Sequence, residues 1–303
     1  MVLVLLLVTM IAFSLMHLMP GDPVAAILGT EATPEAVTIL RHELGLDRPI
    51  LMQYIEWLGN GLRGDFGRSI VNRQSVSELI AQRLPVTLQI GLSAMILSLI
   101  VAIPIGILSA LRRNSIEDQL SRLIAIVGIA IPNFVIGILL ILVFSVMLRW
   151  LPTSGYTGLF DNPLLSLKLT ILPALTLSAA MAAVTMRQVR SSLLEVMEQD
   201  YIRTARAKGL SEYAIISGHA LKNALIPVIT ILAMQVAILF GGSVIVETIF
   251  AIPGIGRLVV SAIFAHDYPI VQAVVLLMGF IVTVFNLLAD LSYAFLDPRI
   301  KYR

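Results

Sequence analysis

The chain has 303 residues, of which 58% are apolar and only 13% charged, and its mean hydropathy is +0.93. That composition excludes an ordinary water-soluble domain. Absence of cysteine excludes a disulfide framework, a thiolate metal site and a cysteine nucleophile. A net charge of +2, with the basic residues scattered in short flanks of apolar runs, argues against a nucleic-acid partner.

An apolar run of about 18 residues or more crosses the ~30 Å hydrocarbon core as a helix, because a helix bonds every backbone polar group internally. Six such runs occur, at about 1–19, 86–111, 120–148, 169–186, 226–250 and 270–296. The expectation is an all-α integral membrane protein, a single domain over 1–303 with six transmembrane helices.

In chain order, the first run lacks the basic start and small-residue cleavage site of a secretory leader, and Pro20-Gly21-Asp22-Pro23 stops it, so it reads as a retained span. Segment 20–85 mixes Pro, Gly and charges with short apolar patches such as 50–58. It is expected to be an extracytoplasmic loop with brief helices. Gly and Ala through the second and third runs, and Gly241-Gly242 in the fifth, favour close helix approach. Asn133, Gln235, Ser243 and Asn286 are expected to hydrogen-bond between helices. At 1.5 Å per residue Glu247 lies about 30 Å from Pro227, and Asp290 about as far from Ile270, so both are expected near a membrane face, as anchors or ion-pair partners.

Charge bias sets the orientation. Twelve Lys and Arg residues fall in one alternating set of segments: Arg112, Arg113 and Arg122; Arg187, Arg190, Arg203, Arg206, Lys208 and Lys222; Arg299, Lys301 and Arg303. The short loops of the other set hold three, namely Arg149, Lys168 and Arg257, while the long segment 20–85 carries six against eight acids. The richer set is assigned to the cytoplasm, together with both termini.

The informative stretch is the inner segment 187–225, polar enough to leave the membrane yet spaced as helix. Leu193, Leu194, Met197, Tyr201, Ala205 and Leu210 keep a rough helical face. Glu195, Glu198 and Asp200 precede Arg203, Arg206 and Lys208, an order that suits the helix dipole. Gly209 stands where a helix end favours positive φ, and Ser211 can cap a second short helix. Helix, tight turn, helix is the expectation: a bent element suited to a partner's groove.

Asp200-Tyr-Ile-Arg-Thr-Ala-Arg-Ala-Lys-Gly-Leu210 and His219-Ala-Leu-Lys-Asn-Ala-Leu-Ile-Pro227 resemble the coupling loop of ABC importer permeases. Against the family's general pattern, E-A-A-x3-G-x9-I-x-L-P, Arg203-Thr204-Ala205 stands at E-A-A and Gly209 at the glycine. His219 replaces the isoleucine and Lys222 the proline, so the general pattern is poorly met. The form seen here is similar to the first permease subunit of the dipeptide, oligopeptide and nickel importer branch. Pro20-Gly21-Asp22-Pro23, Gly64-Asp65-Phe66-Gly67, Arg83-Leu84-Pro85-Val86-Thr87, Ala251-Ile252-Pro253-Gly254-Ile255-Gly256 and Asp297-Pro298-Arg299 agree with that branch over the whole chain. Such subunits begin with several more residues, arginines among them, whereas this chain opens on Val2-Leu3-Val4; either the true start lies upstream or the chain is truncated.

The resemblance implies a type I importer permease fold in a bacterial inner membrane. Arg203, Thr204, Ala205, Arg206, Ala207, Lys208, Gly209 and Leu210 would then couple to an ATPase subunit. Implied partners are a second homologous permease, two ATP-binding subunits, an extracytoplasmic substrate-binding protein and membrane lipid. No cofactor is expected in this chain: it contains no G-x-x-x-x-G-K-[ST] loop, so ATP and magnesium belong to the partner subunits. Peptide is the favoured cargo, with nickel or glutathione as alternatives. Two other classes compete. An intramembrane protease needs a histidine facing a serine such as Ser93, Ser98 or Ser109, and none stands on a plausible facing span. A secondary transporter needs ionisable groups near the midplane and leaves the elaborate inner segment unexplained.

Overall fold

The structure, a computed structural model, describes residues 2–18, 24, 28, 33–43 and 45–296. Pro20-Gly21-Asp22-Pro23, Asp297-Pro298-Arg299 and the side chain of Asp290 lie outside the described residues. The helices are α1 Val2–Leu18, α2 Pro34–Glu43, α3 Ile50–Leu62, α4 Val76–Leu111, α5 Ile116–Ala130, α6 Asn133–Leu140, α7 Pro163–Met197, α8 Asp200–Ala207, α9 Glu212–Ile215, α10 Leu221–Ala224, α11 Ile226–Ile249, α12 Ile255–Phe264 and α13 Tyr268–Leu296.

Four of them, α4, α7, α11 and the described part of α13, are long and apolar enough to cross a membrane. The first apolar run forms a shorter helix. The third, expected as one helix over 120–148, is a broken pair: α5 meets the helical stretch Asn133–Met147, which begins with α6, at an angle of 101°. Pro132 is the cause, since it has no N–H to give and holds the preceding Ile131 in extended backbone (φ −83°, ψ 124°). Beyond α6 the chain widens into a π-helical stretch, Ile141–Met147, and ends at Arg149 with φ 56°. The six apolar segments therefore comprise four full-length helices, one bent pair and one short helix.

Contacts divide the chain into two compact units. The first contains residues up to Thr87 and Pro253–Val284. Its core joins Val76, Leu79 and Ile80 to Ile255, Val259 and Ala262 and to Ile270, Val271 and Val274. Stretch 251–269 was expected as a loop, yet it contains α12, whose buried Ile255, Val259 and Ala262 recur at helical spacing. Two of the quoted sequence stretches meet here, because the Ile255 N–H donates to Thr87 Oγ1 at 2.8 Å. Buried Asp267 accepts from Ser69 Oγ, from the Ile70 N–H at 3.1 Å and from the Val71 N–H at 3.5 Å. α1 is held by Gln272, whose Nε2 donates to the Phe13 carbonyl at 3.1 Å, and by the ring cluster Phe13, Tyr54 and Trp57.

The second unit contains Leu88–Ile252 and the chain from Phe285 onward. Its long helices approach closely at glycines of the second and third runs, as expected. A Cβ on Gly106 would stand 2.9 Å from the Met186 carbonyl oxygen and 2.8 Å from the Val189 Cβ. At Gly241-Gly242 only the second glycine faces other helices: nothing lies within 4 Å of a Cβ on Gly241, whereas one on Gly242 meets Asn133 Nδ2 and Leu177 Cδ2, each at 3.5 Å. Gln235 does bond between helices, its Nε2 donating to the Met181 carbonyl and Thr185 Oγ1, both at 3.1 Å. Ser243 instead donates to the Phe240 carbonyl of its own helix at 3.0 Å, Asn286 is exposed, and Glu247 is fully buried.

Candidate coupling element

The inner segment is helical from its first residue, because α7 runs for 35 residues to Met197. At 1.5 Å per residue it is about 52 Å long, well beyond the ~30 Å hydrocarbon core. A turn over Glu198 and Gln199 leads into α8, which carries Asp200 in its first turn and Arg206 in its last, each sign at the end the helix dipole favours.

α8 ends in a complete Schellman motif. The Gly209 N–H donates to the Arg206 carbonyl at 2.9 Å and the Leu210 N–H to the Ala205 carbonyl at 3.3 Å, while Gly209 takes φ +79°. That pairing of 6→1 and 5→2 bonds requires a left-handed residue after the helix, which glycine supplies without Cβ strain. Ser211 Oγ then accepts from the Ala214 N–H at 3.3 Å and caps α9, as the sequence pattern predicts. A π-helical turn Ile216–Ala220 and α10 return the chain to α11.

The elbow packs inward through Ile202, Ala205, Ile215, Ala220 and Ala224 onto Leu193 and Ala110. Its apolar face is thus shifted from the expected one. Ile202 replaces Tyr201, and both Tyr201 and Leu210 are 43% exposed. Tyr201 lies outside because its hydroxyl accepts from Asn223 Nδ2 at 2.8 Å, a bond better made at the rim than in an apolar core. Across the turn Arg206 Nε donates to Glu212 Oε1 at 2.7 Å. The guanidinium holds the Glu212 carboxyl below its ordinary pKa, and the carboxylate raises that of Arg206.

Of the eight proposed coupling residues, Ala205 is buried within the chain and the other seven, Arg203, Thr204, Arg206, Ala207, Lys208, Gly209 and Leu210, are exposed. Tyr213, 82% exposed on α9, extends the same surface and was missed by the sequence reading. The outward face combines guanidinium, ammonium and apolar groups on a backbone braced by caps and an ion pair. It can transmit force as a rigid body.

The base of the elbow holds a network that sequence reasoning missed. Asp118 is fully buried; it accepts from Ser109 Oγ at 2.7 Å, from the Asn114 N–H at 3.0 Å, and from Arg190 Nε and Nη2 at 2.7 and 2.9 Å. The signal was present in Ser115-Ile-Glu-Asp118, a Ser with an acid three residues on ahead of an apolar run. Ser115 caps α5 by accepting from the Asp118 N–H at 3.3 Å.

Among the described residues the regular elements are helices, several of them long and apolar enough to cross a membrane, as in a multi-pass membrane component. Residues 102–302 match the family described as "Binding-protein-dependent transport system inner membrane component", and residues 1–91 match "Binding-prot-dependent transport system membrane comp, N-term". The chain is 45% identical over 299 residues to a peptide transport system permease protein of Brucella abortus (strain 2308), an alignment covering 99% of this chain and 95% of that one. It is 42% identical over 299 residues, with the same coverage, to the glutathione transport system permease protein of Escherichia coli (strain K12). In fold it is similar to the inward-facing MetNI methionine ABC transporter, at TM-score 0.60 and 17% identity over 72% of this chain and 96% of that one.

The chain belongs to the binding-protein-dependent transport system inner membrane component family and has the type I importer permease fold. It is a multi-pass inner-membrane permease of an ATP-driven import system that works with ATP-binding subunits and a binding protein.

Proposed function

We propose that this chain forms half of the passage for peptides, pairing with a second homologous permease, two ATP-binding subunits and an extracytoplasmic binding protein. Both termini face the cytoplasm, as the asymmetry of Lys and Arg favours. Segments 20–85 and 251–269 then face the binding protein. ATP and magnesium are held by the partner subunits, and this chain holds no cofactor.

The observation that carries the reading is the braced elbow with an exposed outer face. In a partner's cleft it converts closure of two ATP-bound subunits into movement of α7 and α11, because Ile202, Ala205 and Ile215 fix it to Leu193 of α7 and the chain continues directly into α11. Peptide cargo is supported by the relatives above, named for peptide and for glutathione transport.

The test is reconstitution. The permease pair, ATP-binding subunits and binding protein are placed in liposomes, and peptide uptake is measured alongside ATP hydrolysis. Uptake of di- or oligopeptides that requires ATP and binding protein supports the reading. Accumulation driven by an ion gradient without ATP would return a secondary transporter, and selective uptake of nickel would reassign the cargo.

A further inference from the structure

A cavity of about 300 Å³ opens beside the Asp118 network between α5 and α7. Arg122, Arg187 and Arg190 line it on one side, and Ile126, Ile129 and Met186 form its apolar wall. Three guanidiniums face one carboxylate. Asp118 occupies Arg190 with two hydrogen bonds and lies 3.7 Å from Arg122 Nη2. Arg187 makes no ion pair among the described residues, and it is exposed. The cavity therefore carries a positive excess that its own residues leave unmatched.

We propose that this cavity holds the headgroup of an anionic phospholipid, with the phosphate diester on Arg122 and Arg187 and an acyl chain along Ile126 and Ile129. The guanidinium fork matches two phosphate oxygens, and Asp118 holds Arg190 at the back of the site and ion-pairs with Arg122, so that one carboxylate offsets one of three guanidinium charges. Arg122, Ile126 and Ile129 recur at helical spacing on one face of α5, and the two isoleucines are 63% and 45% exposed. A stripe with cation first and bare hydrocarbon beyond fits an amphiphile. A water-soluble anion would leave that hydrocarbon uncovered, which is the reason for assigning the phosphate to a lipid.

The inner leaflet is assigned on the orientation proposed above. That orientation is read separately by labelling a lone cysteine introduced as Arg113→Cys, in a chain with no other cysteine. Labelling from the outside would overturn the leaflet assignment and leave the site itself to the next measurement.

The site is tested on the whole importer complex by native mass spectrometry, with phosphatidylglycerol, phosphatidylcholine and water-soluble glycerol 3-phosphate as probes. The complex should retain phosphatidylglycerol over phosphatidylcholine. Arg122→Gln/Arg187→Gln should weaken that preference about twenty-fivefold, at about fivefold for each arginine. Arg112→Gln/Arg113→Gln, nearby charges outside the cavity, should leave it unchanged and so serve as the control for folding and for bulk attraction. Equal retention by the cavity variant and the parent would overturn the proposal, as would an equal loss in the control. Competition by glycerol 3-phosphate as strong as by the lipid would overturn the assignment to a lipid.

Discussion

Asp118 and Arg190 form a two-point ion pair, Nε to Oδ1 at 2.7 Å and Nη2 to Oδ2 at 2.9 Å, that ties the start of α5 to α7 just ahead of the elbow. The carboxylate is fully buried, whereas the arginine side chain retains 21% exposure. Removing one partner strands a charge in a poorly solvated place. Asp118→Ala should therefore cost about 3 kcal/mol, measured as loss of thermal stability of the purified complex in detergent. Asp118→Leu/Arg190→Met should recover a large part of that loss, because two apolar groups need no partner. A double variant no more stable than Asp118→Ala would show that the pair supplies more than mutual neutralisation.

Gly209 is required by geometry and not by space. Nothing lies within 4 Å of a Cβ built on it, but its φ is +79°. Gly209→Ala should weaken the turn by about 1 kcal/mol and lower uptake modestly. Gly209→Pro cannot adopt that φ and also removes the N–H bonded to the Arg206 carbonyl, so uptake should fall at least tenfold while the protein remains in the membrane and its partners still hydrolyse ATP. Arg206→Glu faces Glu212 with a like charge and should act in the same direction. Normal uptake by both variants would sink the coupling assignment.

Apolar runs and breakers in the sequence reveal the helical membrane architecture, and Gly209 and Ser211 reveal the elbow, because each of these is a local rule. Three features were not legible for physical reasons. The break at Pro132 is hidden because the residues on both sides are equally apolar, so hydropathy reads straight through it. Ile202 and Tyr201 are adjacent on a helix of 8 residues, and only the packing of Leu193 and Ala110 against one side decides which is buried. Asp118 and Arg190 are 72 positions apart; their pairing is a tertiary fact, and each alone reads as an ordinary charge at a membrane boundary.

Two glycines on long helices give opposite expectations. A Cβ on Gly106 would be pressed against the Met186 carbonyl and the Val189 side chain, whereas one on Gly241 meets nothing within 4 Å. Gly106→Ala must push two packed helices apart and should cost about 1–3 kcal/mol. Gly241→Ala should be neutral or slightly stabilising, since alanine favours helix more than glycine does. Thermal unfolding of the two variants side by side decides the matter. Equal effects would mean that the α4–α7 contact at Gly106 is looser than the structure has it.

Asp267 supports the last prediction. Its carboxylate is 2% exposed and takes Ser69 Oγ and the Ile70 and Val71 N–H groups at once, thereby fixing the turn that precedes α4 to the start of α13. A carboxylate with several donors has no cheap substitute. Asp267→Ala leaves two backbone N–H groups and a hydroxyl facing the gap, at about 1–3 kcal/mol for an unsatisfied buried group. Asp267→Asn keeps one acceptor oxygen and should lose less. If segments 20–85 and 251–269 face the binding protein, Asp267→Ala should abolish stimulation of ATP hydrolysis by loaded binding protein before it affects basal hydrolysis, and proteolysis should appear near residues 69–75. Unchanged stimulation together with proteolysis at that turn would remove this corner from the docking surface and leave Asp267 a purely structural brace.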